Sequence, residues 1–274
     1  MSGTTLTKDS GSAVDAVFQR DAWLLGNEMV PNFEKALSPE RGNWYRNNKR
    51  EYIPALQRGF PLPWEITASV VPVEAAGYAI EETDCFPWLG HMERFAKEYF
   101  KTEIVLRDKF PIPARLPFKN VLPIFDPGLS NREMVDKALK AQGLRVEGTD
   151  VSKFTGADSE GPRLWLIERS PQPMAARGLP PKFAKQYFEG RQTRPLNLRG
   201  YGIGTGLLYK VEKRFLDPDA VTASWFPENL LLPDGFVAYG YYDPTYGKVW
   251  FYSRDAGYEF GTMAFREAIL LLPT

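Results

Sequence analysis

The chain has 274 residues, with 34 basic against 34 acidic side chains, 43% hydrophobic and 25% charged residues, one cysteine and one histidine. A chain of this length buries a substantial core without staples, and its zero net charge supplies no global field toward nucleic acid or an anionic membrane, which argues against nucleic acid as a partner. Cys85 has no second cysteine to pair with, and with His91 alone it cannot build a clustered zinc site, so no metal and no cofactor is implied.

The polar opening MSGTTLTKDSGSAVD lacks the basic and apolar regions of a signal peptide, and no run approaches the ~18 apolar residues of a membrane span. A disordered tail over 1–12 and a cytoplasmic or leaderless exported protein are therefore expected. From Ser12 the apolar residues Val14, Val17, Phe18, Trp23, Leu24 and Leu25 recur at helical spacing until Pro31. Arg41–Tyr52 interleaves Arg41, Arg46, Lys49 and Arg50 with Trp44, Tyr45 and Tyr52, a pattern that can stack on bases but here reads as a solvated segment. Ile66–Val73 has strand character.

Pro87–Lys101 predicts a core-docking helix. Phe95, Trp88, Tyr99, Met92, Ala96, Leu89 and Phe100 fill one face, with Glu93, Lys97, Lys101, Arg94, Glu98 and His91 opposite. Pro111, Pro113, Pro117, Pro123 and Pro127 remove donors along the next stretch and favour extended backbone, so 109–128 is expected to be a connection, either a linker or a wrapping arm, and the internal boundary. Ser130 with Glu133 forms a capping-box pattern, Met134, Ala138 and Leu139 give the stripe, and Gly143 sits at the stop. Arg163–Arg169 alternates like a strand. Pro181 opens a short helix through Phe188, and Gly204–Phe215 predicts another, with β pattern from Asp217 onward.

Three chemical motifs compete with plain structural roles. Cys85 and His91 could form a nucleophile and base, with Glu93 nearby, but six residues along one helix separate side chains by about 120 degrees and about 9 Å. Any triad would need that same histidine. Glu81, Glu82 and Asp84 lack the alternating spacing of a calcium loop and read as an acidic turn. GYGIGTG, Gly200–Gly206, has its glycines out of register for a dinucleotide loop and reads as a flexible lead-in to the helix after it.

Phe236–Phe260 concentrates six of the thirteen tyrosines, with Trp250 and three phenylalanines. The strand period places Phe236, Ala238, Gly240 and Tyr242 on one side and Val237, Tyr239 and Tyr241 on the other. Asp243-Pro-Thr-Tyr-Gly-Lys248 is turn chemistry. In the following strand Val249, Phe251 and Ser253 oppose Trp250, Tyr252 and Arg254. A two-sided buried sheet accounts for such enrichment through β propensity, whereas the mix of Tyr, Asp, Ser, Arg and Gly is that of a recognition surface.

LNLRGYGIGTGLLYKVEKRFLDPDAVTASW together with LPDGFVAYGYYDPTYGKVWFYSRDAGYEFGTMAFREAILL resembles the C-terminus of variable proteins of diversity-generating retroelements, with Ala264-Phe265-Arg266 in the place of a Gly-Phe-Arg-like element. The resemblance implies a C-type-lectin fold of the kind formylglycine-generating enzymes share, and ligand binding by a diversified surface.

The reading is an α+β protein: a helix-rich N-terminal region over 13–108, the connection at 109–128, and a C-terminal mixed domain over 129–274 with an antiparallel hairpin, C-type-lectin-like. Residues 13–108 and 129–274 could also form one continuous domain. The expected function is binding of a protein or other macromolecular ligand through Tyr239, Tyr241, Tyr242, Asp243, Tyr246, Trp250, Tyr252, Arg254, Asp255 and Tyr258. A cysteine-dependent enzyme using Cys85 and a structural subunit of a larger assembly are the alternatives.

Overall fold

A computed structural model describes residues 77–156, 161–173, 175–219, 222–232, 234–258 and 261–274. All of them belong to the second of two units, Val71–Thr274. The expectations for the tail over 1–12, for Ser12–Pro31, for Arg41–Tyr52 and for the strand at Ile66–Val73 lie outside the described residues, as does all of the helix-rich region assigned before Gly77.

The predicted docking helix forms as α1, Cys85–Phe95, and widens into a π-helical turn over Ala96–Phe100 that ends at Lys101 with φ 58. Its expected apolar face is the buried one: Trp88, Leu89, Met92, Phe95, Ala96 and Phe100 are all buried. A short α2, Leu106–Lys109, follows, its Leu106 N–H donating to Glu93 Oε1 at 2.8 Å. The proline-rich run is not a free connection. It carries β2, Arg115–Leu116, which pairs with β1, Tyr78–Ala79, and β3, Val121–Asp126, every residue of which is buried. Phe110, Leu116 and Phe118 from this run enter the main core.

α3 begins at Asn131 and continues through a π-helical turn at Val135–Leu139 and a 3-10 turn to Gln142, stopping at Gly143 with φ 80. The capping box is complete: Ser130 Oγ accepts the Glu133 N–H at 3.2 Å, and Glu133 Oε2 accepts the Ser130 N–H at 3.0 Å. Lys137 and the Ser130 N–H hold the Glu133 carboxyl down at about 2. A lowered carboxylate pKa contributes stability above the unfolded value near 4.5 and loses it as pH falls through about 2. Replacing Ser130 by Ala is expected to cost about 1 kcal/mol. The Glu133→Gln deficit, about half a kcal/mol on this exposed turn, should shrink steadily in denaturant titrations run from pH 5 down to pH 3.

The strands assemble into two larger sheets. One has the order β3–β5–β11–β6, with β5 at Arg163–Glu168, β6 at Arg194–Pro195 and β11 at Glu267–Leu271, all antiparallel. Its two edge strands each contain a proline, Pro123 and Pro195, which is where a residue without an N–H fits a sheet. The other has the order β10–β7–β8–β9–β4. Here β7 (Ala223–Leu231), β8 (Phe236–Asp243) and β9 (Lys248–Arg254) pair antiparallel, while β4 (Arg145–Gly148) and β10 (Met263–Ala264) add at the edges in parallel. The 3-10 turn at Pro181–Phe183 leads into α4, Ala184–Phe188.

α5, Leu198–Glu212, packs against β3 of one sheet and β8 of the other. It starts earlier than Gly204, and the GYGIGTG motif lies inside it with every residue buried. Four glycines weaken an isolated helix by about 1 kcal/mol each; here close packing requires them. A Cβ on Gly202 would sit 1.9 Å from Met134 Sδ, on Gly204 2.8 Å from Ile124 Cδ1, and on Gly206 2.2 Å from the Ala138 carbonyl oxygen. The motif lets α3 and β3 approach the helix axis and leaves no loop to cradle a phosphate.

Two buried ion pairs tie these layers. Arg199 Nε donates to Asp126 Oδ2 at 2.8 Å, and Asp126 Oδ1 also accepts the N–H groups of Gly128 and Leu129. Arg266 Nη2 donates to Asp217 Oδ1 at 2.7 Å, and Asp217 Oδ2 accepts from Ser224 Oγ at 2.6 Å. No helix among the described residues is long and apolar enough to cross a membrane.

Candidate functional site

The expected hairpin forms with the expected alternation. The β8–β9 register pairs Tyr239 with Tyr252, Tyr241 with Trp250 and Asp243 with Lys248. On the other flank of β8, Trp225 of β7 pairs with Tyr239, and on the other flank of β9, Glu147 of β4 pairs with Trp250 and Arg145 with Lys248. Because side chains directly opposed on neighbouring strands share a face, these residues form one surface of the five-stranded sheet.

Four of its rings make a two-by-two array. Tyr239 and Tyr241 are nearly parallel (9°) at 6.4 Å between centroids, Trp250 and Tyr252 nearly parallel (10°) at 5.4 Å, and Tyr239 meets Tyr252 at 5.9 Å. Trp225 closes one side edge-on at 5.4 Å from Tyr239. That side is buried in a second apolar cluster formed with Ala184, Phe188, Met263 and Phe265, while Tyr241, Trp250 and Tyr252 are only half-buried. The opposite face of the hairpin is closed: Tyr201 of α5 lies 5.1 Å from Phe226 and 6.1 Å from Phe251, and a Cβ on Gly240 would touch both the Tyr201 and Phe251 rings at 3.2 Å.

Tyr242 belongs to that closed face. It stacks on Phe215 at 3.5 Å with 2° between planes, as its alternation with Ala238 and Gly240 dictates, so it stands apart from the ring array. Tyr246 is 59% exposed at the tip of the β8–β9 turn, where Asp243 Oδ1 accepts the Thr245 N–H at 2.9 Å. At the end of β9, Arg254 lies 5.5 Å over the exposed Tyr258 ring, and just beyond it Asp255 Oδ1 accepts the Gly257 N–H at 2.7 Å. Nine of the ten expected residues thus lie on or at the ends of one surface. Trp225, Arg145, Glu147 and Lys248 also belong to it and were not among the expected ones. Trp225 carried a readable signal, its alternation with Ala223; β4 gave none, because its parallel pairing to β9 spans about a hundred residues.

Burial, then the neighbouring Tyr252, Tyr239 and Asp243, pushes the Tyr241 phenol up to about 12. Tyr239 is also raised by burial, against the pull of Arg254. These hydroxyls are neutral hydrogen-bonding groups at physiological pH, not bases. Lys248 pairs with Glu147 at 3.1 Å and lies 5.4 Å over the Trp250 ring. What the array offers is rigid amphipathic contact area with polar ends.

The competing chemical sites take structural roles. Cys85 is fully buried, and burial followed by Asp84 pushes its thiol up to about 12, so thiolate is scarce at neutral pH. The His91 ring meets Arg94 at 2.9 Å and its pKa is lowered by burial and that guanidinium. Glu82 accepts the Ala79 N–H, while Asp84 accepts the Val121 N–H and pairs with Arg169. Among the described residues no group of three or more His, Cys, Asp or Glu is placed to hold a metal ion.

Comparison with known proteins found nothing similar: no family model matches the chain, and no curated protein or solved structure matches it.

Proposed function

We propose that the chain is a binding module that holds a protein or other macromolecular partner on the ring array of its five-stranded sheet. Tyr239, Tyr241, Trp250 and Tyr252 supply the contact area. Tyr246 and Tyr258 extend it at the two ends, and Asp243, Arg254 and Asp255 supply polar specificity. The observation that carries this reading is the asymmetry of the sheet: one face is sealed by α5, while the other leaves Tyr241, Trp250 and Tyr252 half-open. Aromatic and arginine side chains are the residues that dominate binding energy at protein interfaces. Within this proposal, a variable protein of the diversity-generating retroelement kind, with a C-type-lectin-like arrangement, would carry its sequence changes on this same surface.

The test is a capture experiment in an extract of the source cells, with the wild type and single Ser variants at Tyr241, Trp250 and Tyr252 as baits. The partner retained by the wild type should be lost from each variant, with affinity for that purified partner falling about 30-fold, the effect of a 2 kcal/mol hot spot. Undiminished affinity in all three variants would remove the array from the contact surface.

A further inference from the structure

Three of the four outer strands of the larger sheets are shielded. β3 and β6 carry Pro123 and Pro195. β10 is flanked by the chain at 175–178, with the Phe265 N–H donating to the Ala175 carbonyl and the Gly178 N–H to the Met263 carbonyl. β4, Arg145–Gly148, has neither protection, and Arg145, Glu147 and Gly148 are exposed. A strand residue aims its N–H and C=O to one side and its neighbour's to the other. The phase in β4 is set by the Thr149 N–H, which donates inward to the Phe251 carbonyl of β9 at 2.7 Å. Glu147 shares that inward direction, so the N–H and C=O of Val146 and Gly148 point outward. None of these four groups has a hydrogen-bond partner among the described residues.

An open edge is a template for another strand, and the side chains of β4 say whose. Arg145 and Glu147 stand on one face, two residues apart. Arg145 uses only Nη2, on the Tyr246 carbonyl at 2.5 Å, and has no carboxylate partner among the described residues. Glu147 accepts from Lys248 at Oε1 alone. Let a second copy run antiparallel along this edge, with a two-fold axis at Val146. Arg145 of each copy then faces Glu147 of the other, and the two Val146 residues exchange both backbone hydrogen bonds. An axis at Arg145 or Glu147 instead opposes like charges, which is destabilising. An axis between residues would set opposed side chains on different faces. β4 is thus complementary to itself in one register, the requirement of a closed two-fold contact.

We propose that two copies of this chain join β4 to β4 in that register, making one continuous sheet across the pair. The axis is perpendicular to the sheet, so both ring arrays lie on the same face, with their β9 strands three strand spacings apart, about 14 Å. The pairing does not depend on what the array binds, but it presents two arrays to one partner. A seam of four residues a side is short against the roughly 1,600 Å² of a standard interface, so the dimer is reversible.

The test is sedimentation equilibrium of the full chain from about 1 µM to about 1 mM, the span in which weak association registers. A monomer–dimer equilibrium is expected. Arg145→Glu and Glu147→Arg, both at exposed positions, each oppose like charges across the seam and should each weaken self-association at least about tenfold. Mixed in equal amounts, the two variants regain both charge pairs, and a heterodimer within about threefold of the wild-type affinity is expected. Val146→Pro removes an outward N–H, a change that an edge strand tolerates, and should leave a folded monomer by circular dichroism. The proposal is overturned if the wild type stays monomeric throughout, if any of the three variants alone dimerises like the wild type, or if the mixture remains monomeric.

Discussion

Gly206→Ala is expected to destabilise the protein by about 3 kcal/mol, although the same change in an exposed helix stabilises by about 1 kcal/mol. The sign is set by the neighbour. The new methyl would lie 2.2 Å from the Ala138 carbonyl oxygen and 3.1 Å from its carbonyl carbon, and backbone cannot swing aside as a side-chain end can. α3 and α5 would have to separate, exposing the apolar side chains between them. Gly90→Ala is the internal control. It lies in α1, where the nearest atom to a new Cβ is the flexible end of Arg94 at 3.6 Å, so the helix-propensity gain should appear there undiminished. Urea denaturation of the two variants should therefore move in opposite directions. If Gly206→Ala is neutral, α3 does not approach the α5 axis as described.

Asp126→Ala should cost about 3–5 kcal/mol, because it leaves Arg199 charged, buried and without its carboxylate partner. Both side chains are almost wholly enclosed, at 2% and 0% exposure, so water cannot substitute. The double variant Asp126→Leu, Arg199→Met removes the uncompensated charge and should recover most of that loss, since buried pairs replaced by apolar residues are often near neutral. Recovery will stop short by about 1–2 kcal/mol, because Asp126 also accepts the N–H groups of Gly128 and Leu129, which the double variant leaves unmet. Equal loss in the single and double variants would place the effect in that turn and not in the ion pair.

The elements read correctly from sequence are those whose determinants are local. The β8–β9 hairpin is written in the Asp243–Lys248 turn and the strand alternation on either side, and α3 in the Ser130–Glu133 box and Gly143. α1 was legible from its stripe, apart from the π-helical widening at Ala96–Phe100, which packs against the matching turn of α3. The start of α5 was hidden because its glycines answer to Met134, Ile124 and Ala138, residues more than 60 positions away. The proline run was hidden for a related reason: Pro123 disfavours a strand unless that strand is at an edge, and edge position is a property of the whole sheet. At the candidate site the alternation separated the two faces correctly, yet composition alone had grouped Tyr242 with the ring array. Its partner Phe215 follows α5 and comes close only in the folded unit.

The central claim is that the half-open face of the five-stranded sheet is surface and not core, and the thermal midpoint of the triple variant Tyr241→Ser, Trp250→Ser, Tyr252→Ser tests it most directly. Truncating three half-buried rings should cost about 1 kcal/mol each, less than half the loss at a filled core site. For a unit of this size that is a drop of no more than about 10 °C, with cooperative unfolding and native circular dichroism retained. Loss of cooperative unfolding, or a fall like that of three Phe→Ala changes in a closed core, would mean that the rings hold the fold together and would contradict the binding-surface account.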